Sequence, residues 1–89
     1  VRKQQQLGSL IRSARVAKRL TQTQLAARCG LATSEVSEIE TGAQKRIADV
    51  EKAVEIARTL DVSLLLLLKL GRPTDYKVWR EAFRKEATL

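Results

Sequence analysis

The feature that most constrains this 89-residue chain is a succession of short apolar stretches with helical spacing, each bounded by a capping residue or a glycine. In the first, Leu7, Leu10, Ile11, Ala14 and Arg15 recur at i, i+3, i+4, i+7 and i+8, which predicts a helix from about Gln5 to Lys18. Thr21 or Thr23 can then accept an orphan backbone N–H, and Gln24 stands three residues beyond Thr21 in capping-box spacing, so a second helix is expected over Gln22 to Cys29. Gly30 follows where a chain leaving a helix needs a left-handed backbone. Either Ala32 or Thr33 opens a third helix, with Val36 and Ile39 inward and Thr33, Ser34, Ser37, Glu38 and Thr41 outward, and Gly42 ends it.

Val50, Ala53, Val54, Ala57 and Leu60 mark a fourth amphipathic helix over residues 47–60. Ser63 can cap a fifth through Leu70, with Gly71 and Arg72-Pro73 stopping it. The apolar run within residues 62–70 also suits a short buried strand; leucine's helix preference and the flanking caps favour the helix.

At this length the chain is expected to form one modest core rather than a cofactor domain plus a substrate domain. Cys29 is the single cysteine and histidine is absent, so neither a disulfide nor a common metal set is available, and no cofactor, metal or catalytic role is expected. Cys29 reads as a small buried hydrophobe. The longest apolar run, Leu64 to Leu68, is far short of the roughly 20 residues of a membrane span, and the basic N-terminus precedes no secretory-type stretch. A soluble, cytoplasmic protein with no membrane partner is expected.

The formal net charge of +7 favours a polyanionic partner. Its distribution is uneven. Residues 1–29 carry Arg2, Lys3, Arg12, Arg15, Lys18, Arg19 and Arg28 with no acid, whereas residues 30–44 carry only Glu35, Glu38 and Glu40.

Three segments taken together, Leu7-Gly8-x-x-Ile11-Arg12-x-x-Arg15, Leu20-Thr21-Gln22-x-x-Leu25-Ala26-x-x-x-Gly30 and Val36-Ser37-x-Ile39-Glu40-x-Gly42, resemble the Cro/repressor-type (XRE-like) helix-turn-helix family. The resemblance covers roughly residues 5–70 and implies an all-α, compact five-helix bundle. Physical reasons stand beside it: Ala26 is small enough for the second and third helices to cross closely, and Gly30 permits the tight turn between them.

The resemblance further implies that Arg15 and Glu40 pair across helices as a structural ion pair. It places Gln22 where its amide meets a DNA phosphate or braces the recognition helix. Thr33, Ser34, Ser37 and Glu38 become the candidates for base readout in the major groove, and Thr41, Lys45 and Arg46 for contact with the DNA backbone. One departure stands out: between Ala32 and Thr41 there is no Arg, Lys, Asn or Gln, the usual bidentate partners of guanine and adenine. Readout then falls to hydroxyls, to Glu38 or Glu35 accepting from cytosine, or to DNA shape.

All three aromatic residues, Tyr76, Trp79 and Phe83, follow Gly71 with spacings that make one helical stripe. Residues 1–71 are therefore expected to form the DNA-binding domain and residues 72–89 an amphipathic helical extension that closes the core, dimerises or binds a partner. Leu64, Leu66 and Leu68 join the aromatic stripe as candidates for that surface, because consecutive leucines cannot all face one small core. The expected function is a sequence-specific transcriptional regulator, a repressor or autoregulator that binds a palindromic operator as a homodimer. Its partner is double-stranded DNA, with a toxin protein as a second partner if the chain is the antitoxin of a toxin-antitoxin operon. The alternative is a protein-interaction adaptor that keeps the bundle without base readout.

Overall fold

The computed structural model describes residues 6–78, 80 and 81. Arg2, Lys3 and the proposed first helical residue Gln5 lie outside the described residues, as do Trp79 and Phe83 of the aromatic stripe. Five helices follow one another: α1 (Leu7–Ala17), α2 (Gln22–Cys29), α3 (Thr33–Thr41), α4 (Val50–Leu60) and α5 (Leu64–Gly71). Residues 76–78, 80 and 81 are also helical, and none of the described residues is in a strand.

The caps explain these boundaries. Thr21 and Gln24 form the reciprocal capping box: the Gln24 N–H donates to Thr21 Oγ1 at 3.0 Å and the Thr21 N–H donates to Gln24 Oε1 at 2.9 Å. Gly30 ends α2 with φ of 70°, and its successor's N–H returns to the Ala26 carbonyl at 2.9 Å. That chain reversal sets α3 against α2.

Two boundaries differ from the sequence reading. The fourth helix starts at Val50 rather than residue 47, because the Asp49 carboxylate accepts the Lys52 N–H at 2.8 Å and caps it there. Ile47 is instead a loop residue, only 1% exposed. In α5, Ser63 Oγ accepts the Leu66 N–H at 3.1 Å and the helix runs through Gly71, which excludes the strand alternative. Gly71 is the last helical residue and not the stop; Arg72 takes the left-handed position, with φ of 38°.

Every helix contributes to one core in which Ile11, Leu25, Val36, Ile39, Ile47, Val50, Ile56 and Leu67 are the largest fully buried side chains. Each such aliphatic side chain contributes about 1.5–3 kcal/mol on burial, so the stability resides in this cluster rather than in the marginal propensity of helices this short. Cys29 lies in it, and burial, the leading cause, pushes its thiol pKa up. Leu68 belongs to it as well, only 6% exposed, which corrects its expected place on a surface for a second chain. The leucine that faces outward is Leu65, 64% exposed, while Leu64 and Leu66 are half-buried. Tyr76 packs on the same core.

Two glycines allow contacts that a side chain would forbid. A Cβ on Gly8 would sit 2.6 Å from the carbonyl oxygens of both Ile39 and Glu40, so the first turn of α1 lies directly on the last turn of α3. A Cβ on Gly71 would lie 2.5 Å from Ile47 Cδ1.

Candidate nucleic-acid interface

The outward face of α3 is held in place from behind. Arg15 on α1 reaches Glu40 through two hydrogen bonds, Nε to Oε2 at 2.6 Å and Nη2 to Oε1 at 3.0 Å, and its Nη1 donates to the Leu20 carbonyl at 2.8 Å. Gln22 at the start of α2 adds a third bond to the carboxylate, Nε2 to Oε1 at 3.1 Å. The side chains of Arg15 and Glu40 are 13% and 3% exposed, so the fork geometry and the added bonds are what make burial of these charges tolerable. Burial by itself would raise the Glu40 pKa. The hydrogen bonds from Arg15 and Gln22, with the charges of Arg15 and Arg12, outweigh it and hold the carboxyl below its ordinary 4.5. The same bond to Glu40 raises the Arg15 pKa. One network therefore joins α1, the α1–α2 turn, α2 and α3.

In front of this brace, Thr33, Ser34, Glu38 and Thr41 are exposed and Ser37 is half-buried. Neither Thr33 nor Ser34 caps α3, whose N-cap is Ala32 without a side-chain bond. The Ser34 hydroxyl and the Glu38 carboxylate are exposed on the helix, and Thr33 makes a long contact to Thr23 Oγ1 at 3.5 Å. Thr41 donates its hydroxyl back to the Glu38 carbonyl at 3.3 Å. Gln22, by contrast, directs its side-chain amide inward to Glu40.

The α3–α4 loop begins with Gly42 in the left-handed conformation, φ of 90°. The Gln44 N–H returns to the Glu38 carbonyl at 2.9 Å, and Gln44 Nε2 spans the loop to the Arg46 carbonyl at 2.8 Å and to Glu35 Oε2 at 3.3 Å. Glu35, a candidate acceptor for cytosine, is therefore turned toward the loop. Lys45 and Arg46 stand exposed between these anchors. Beside them an open cleft of about 430 Å³ has Lys45, Lys69 and Arg72 among its lining residues, which extends the positive field beyond the loop.

Sequence reading did not single out Gly8, Gly71 or Asp75 as structural determinants of this face. For Gly8 a signal existed: glycine within the amphipathic pattern forgoes helix propensity, which asks for a packing reason. For Asp75 there was none, since its partner lies 25 residues away in sequence.

No group of three or more His, Cys, Asp or Glu among the described residues is placed to hold a metal ion. Nor is any helix among them long and apolar enough to cross a membrane.

Comparison with known proteins gives the same architecture. The helix-turn-helix family matches residues 11–67. The N-terminal DNA-binding domain of SinR from Bacillus subtilis is 31% identical with a TM-score of 0.63, over 70% of this chain and 88% of that one. A structure of SinR, described as the master regulator for biofilm formation, in complex with DNA is 31% identical with a TM-score of 0.62, over 70% of this chain and 97% of that one. The restriction-modification controller protein C.AhdI from Aeromonas hydrophila is 33% identical with a TM-score of 0.58, over 68% and 89% of the two chains. No curated protein matches the chain. With the bundle, the capped turn and the family match in agreement, this chain belongs to the Cro/repressor-type helix-turn-helix family.

Proposed function

We propose that this non-enzymatic, DNA-binding transcriptional regulator acts as a homodimer on an inverted-repeat operator, as a repressor or autoregulator. Its α3 enters the major groove, and the loop carrying Thr41, Lys45 and Arg46 lies on the sugar-phosphate backbone. The observation that carries this reading is the exposed outer face of α3, fixed from behind by Arg15, Glu40 and Gln22 and flanked by two exposed cations. A rigid polar helix face beside a cationic loop is the arrangement that reads base edges while phosphate contacts set register. The solved complex of SinR with DNA supports it, as a structural neighbour with a known DNA ligand.

One short helix covers only a few base pairs, so specificity requires two copies about 34 Å apart on successive major grooves. Leu65 and Val78, 64% and 73% exposed, are large apolar side chains that the chain's own core leaves open, and they carry the proposed contact from the α5 region onward. Leu64, Leu66 and Tyr76, from the same stretches of sequence, are half-buried. An antitoxin acting on its own operon would use the same DNA face, with the region after residue 71 meeting its toxin.

A second reading, a protein-interaction adaptor, is favoured by one observation: an exposed Glu38 on a helix face that lacks Arg, Lys, Asn and Gln. Selection of bound genomic fragments, followed by mobility shift and sedimentation, separates the readings. The expected result is an enriched inverted repeat bound by two chains, and Leu65→Glu should give a folded monomer that binds it weakly. Recovery of fragments from the chain's own promoter would support autoregulation. Failure to enrich any sequence would favour the adaptor.

A further inference from the structure

The cationic loop is anchored differently at its two ends. Upstream the anchors are local: the Gly42 and Gln44 N–H groups both return to the Glu38 carbonyl, at 3.1 and 2.9 Å. Downstream they come from Gly71, Thr74 and Asp75, at and after the end of α5. The Ile47 N–H donates to the Gly71 carbonyl at 2.9 Å, and the Ile47 side chain fills the space that a side chain on Gly71 would need. Thr74 Oγ1 donates to the Ala48 carbonyl at 3.4 Å. Asp75 Oδ1 accepts the Val50 N–H at 3.0 Å, so the first turn of α4 has two carboxylate caps, Asp49 on Lys52 and Asp75 on Val50. Pro73 is buried and Tyr76 packs on the core, which keeps the segment bearing Asp75 against α4.

We infer that Asp75 is a positioning residue for DNA binding, with residues 71–76 acting as a latch that sets where Lys45 and Arg46 stand. This rests on the reading of that loop as a backbone contact. Lys45 and Arg46 directly precede the latched residues, so freedom at Ile47 to Val50 becomes freedom in the two cations. Ordering them on a phosphate then costs conformational entropy that the latch has already removed.

Charge and geometry make opposite predictions for Asp75, which makes the test decisive. A carboxylate near a DNA-facing loop repels phosphate, so by charge alone its removal strengthens binding. Asp75→Ala removes both the charge and the acceptor, whereas Asp75→Asn removes the charge and keeps an acceptor oxygen. If Asp75 positions the loop, Asp75→Ala weakens binding of a selected operator duplex about three- to tenfold, the scale of losing one helix cap. Asp75→Asn then binds as tightly as the wild type or tighter. Equal or tighter binding by both variants would overturn the inference.

A measurement on the wild type needs no variant to fold. Coupling is reciprocal, so operator DNA should slow amide hydrogen exchange at Ile47, Val50 and Tyr76, relative to exposed positions elsewhere. Unchanged exchange at all three on a saturated operator would also overturn the inference. Failure of the underlying reading looks different. If Lys45→Ala with Arg46→Ala leaves DNA affinity intact, the loop is not a backbone contact. Exchange at Ile47 and Val50 in Asp75→Ala then still reports on the latch, faster exchange supporting it and unchanged exchange refuting it.

Discussion

Arg15 and Glu40, on the first and third helices, meet in a two-bonded fork, with Nε on Oε2 at 2.6 Å and Nη2 on Oε1 at 3.0 Å. Because Gln22 and the Leu20 carbonyl bond to the same pair, the fork fixes the start of α2 as well as the end of α3. It acts on orientation more than on net stability, since burying two charges cancels much of their attraction.

Removing one partner exposes the cost of burial. Glu40→Ala leaves the Arg15 guanidinium in a site where the arginine side chain is only 13% exposed. A loss of about 3 kcal/mol is expected, somewhat less if water reaches the guanidinium. Thermal unfolding should show a fall in Tm of about 10 °C or more for a domain this small. Glu40→Gln, which keeps an acceptor oxygen, should lose less.

The pair also predicts an acid limb. Glu40 in the folded chain titrates below its ordinary 4.5, so the unfolded chain binds more protons between those two values. Its contribution is complete above the unfolded pKa and is lost as pH falls through the folded one. Urea unfolding from about pH 6 down to about pH 3 should show the wild type losing more stability than Glu40→Gln. Parallel pH profiles would mean that other carboxylates set the acid limb.

Gly8→Ala sets helix propensity against sterics. Propensity alone favours alanine, by less than the roughly 1 kcal/mol of a helix interior because Gly8 lies in the first turn. A Cβ would however stand 2.6 Å from two carbonyl oxygens of α3, and backbone cannot move aside as a flexible side chain can. A net loss of about 1–2 kcal/mol by denaturant unfolding is expected. A gain would show that α1 can slide off α3.

Lys45 and Arg46 are exposed on the loop and carry the proposed backbone contact. Replacing both with alanine should weaken operator and random duplex alike and reduce the slope of log affinity against log salt by about two. Loss of discrimination at one operator position, with an unchanged slope, would make them base readers.

Ser34 and Glu38 are exposed on α3. Ser34→Ala or Glu38→Ala should shift the preferred operator sequence while changing random-duplex affinity little, with effects of about 1 kcal/mol per position. Binding-site selection on each variant provides the comparison, and identical preferred sites for both would move recognition to DNA shape.

Much of this molecule is determined locally and is therefore legible in its sequence. Thr21 with Gln24, Gly30 and Ser63 act within a few residues of themselves, so the start and end of α2 and the start of α5 follow from capping chemistry. The inward positions Val36 and Ile39 follow from helical spacing, and the outward face of α3 follows with them. What tertiary structure decided are the contacts between residues distant along the chain. Ile47 has the spacing of a helix residue but sits in a loop, because the Gly71 carbonyl and the space above that glycine capture it. Leu68 looks like its neighbours in a run of leucines, yet it is buried while Leu65 is exposed, since only the position of α5 against the bundle selects its inward side. Gln22 has an amide suited to phosphate, but Glu40, 18 residues later, takes it as a donor. Asp75 caps a helix that begins 25 residues before it. Capping and periodicity are short-range and repeat along one helix, whereas these choices depend on which surfaces meet once all the helices compete for one core.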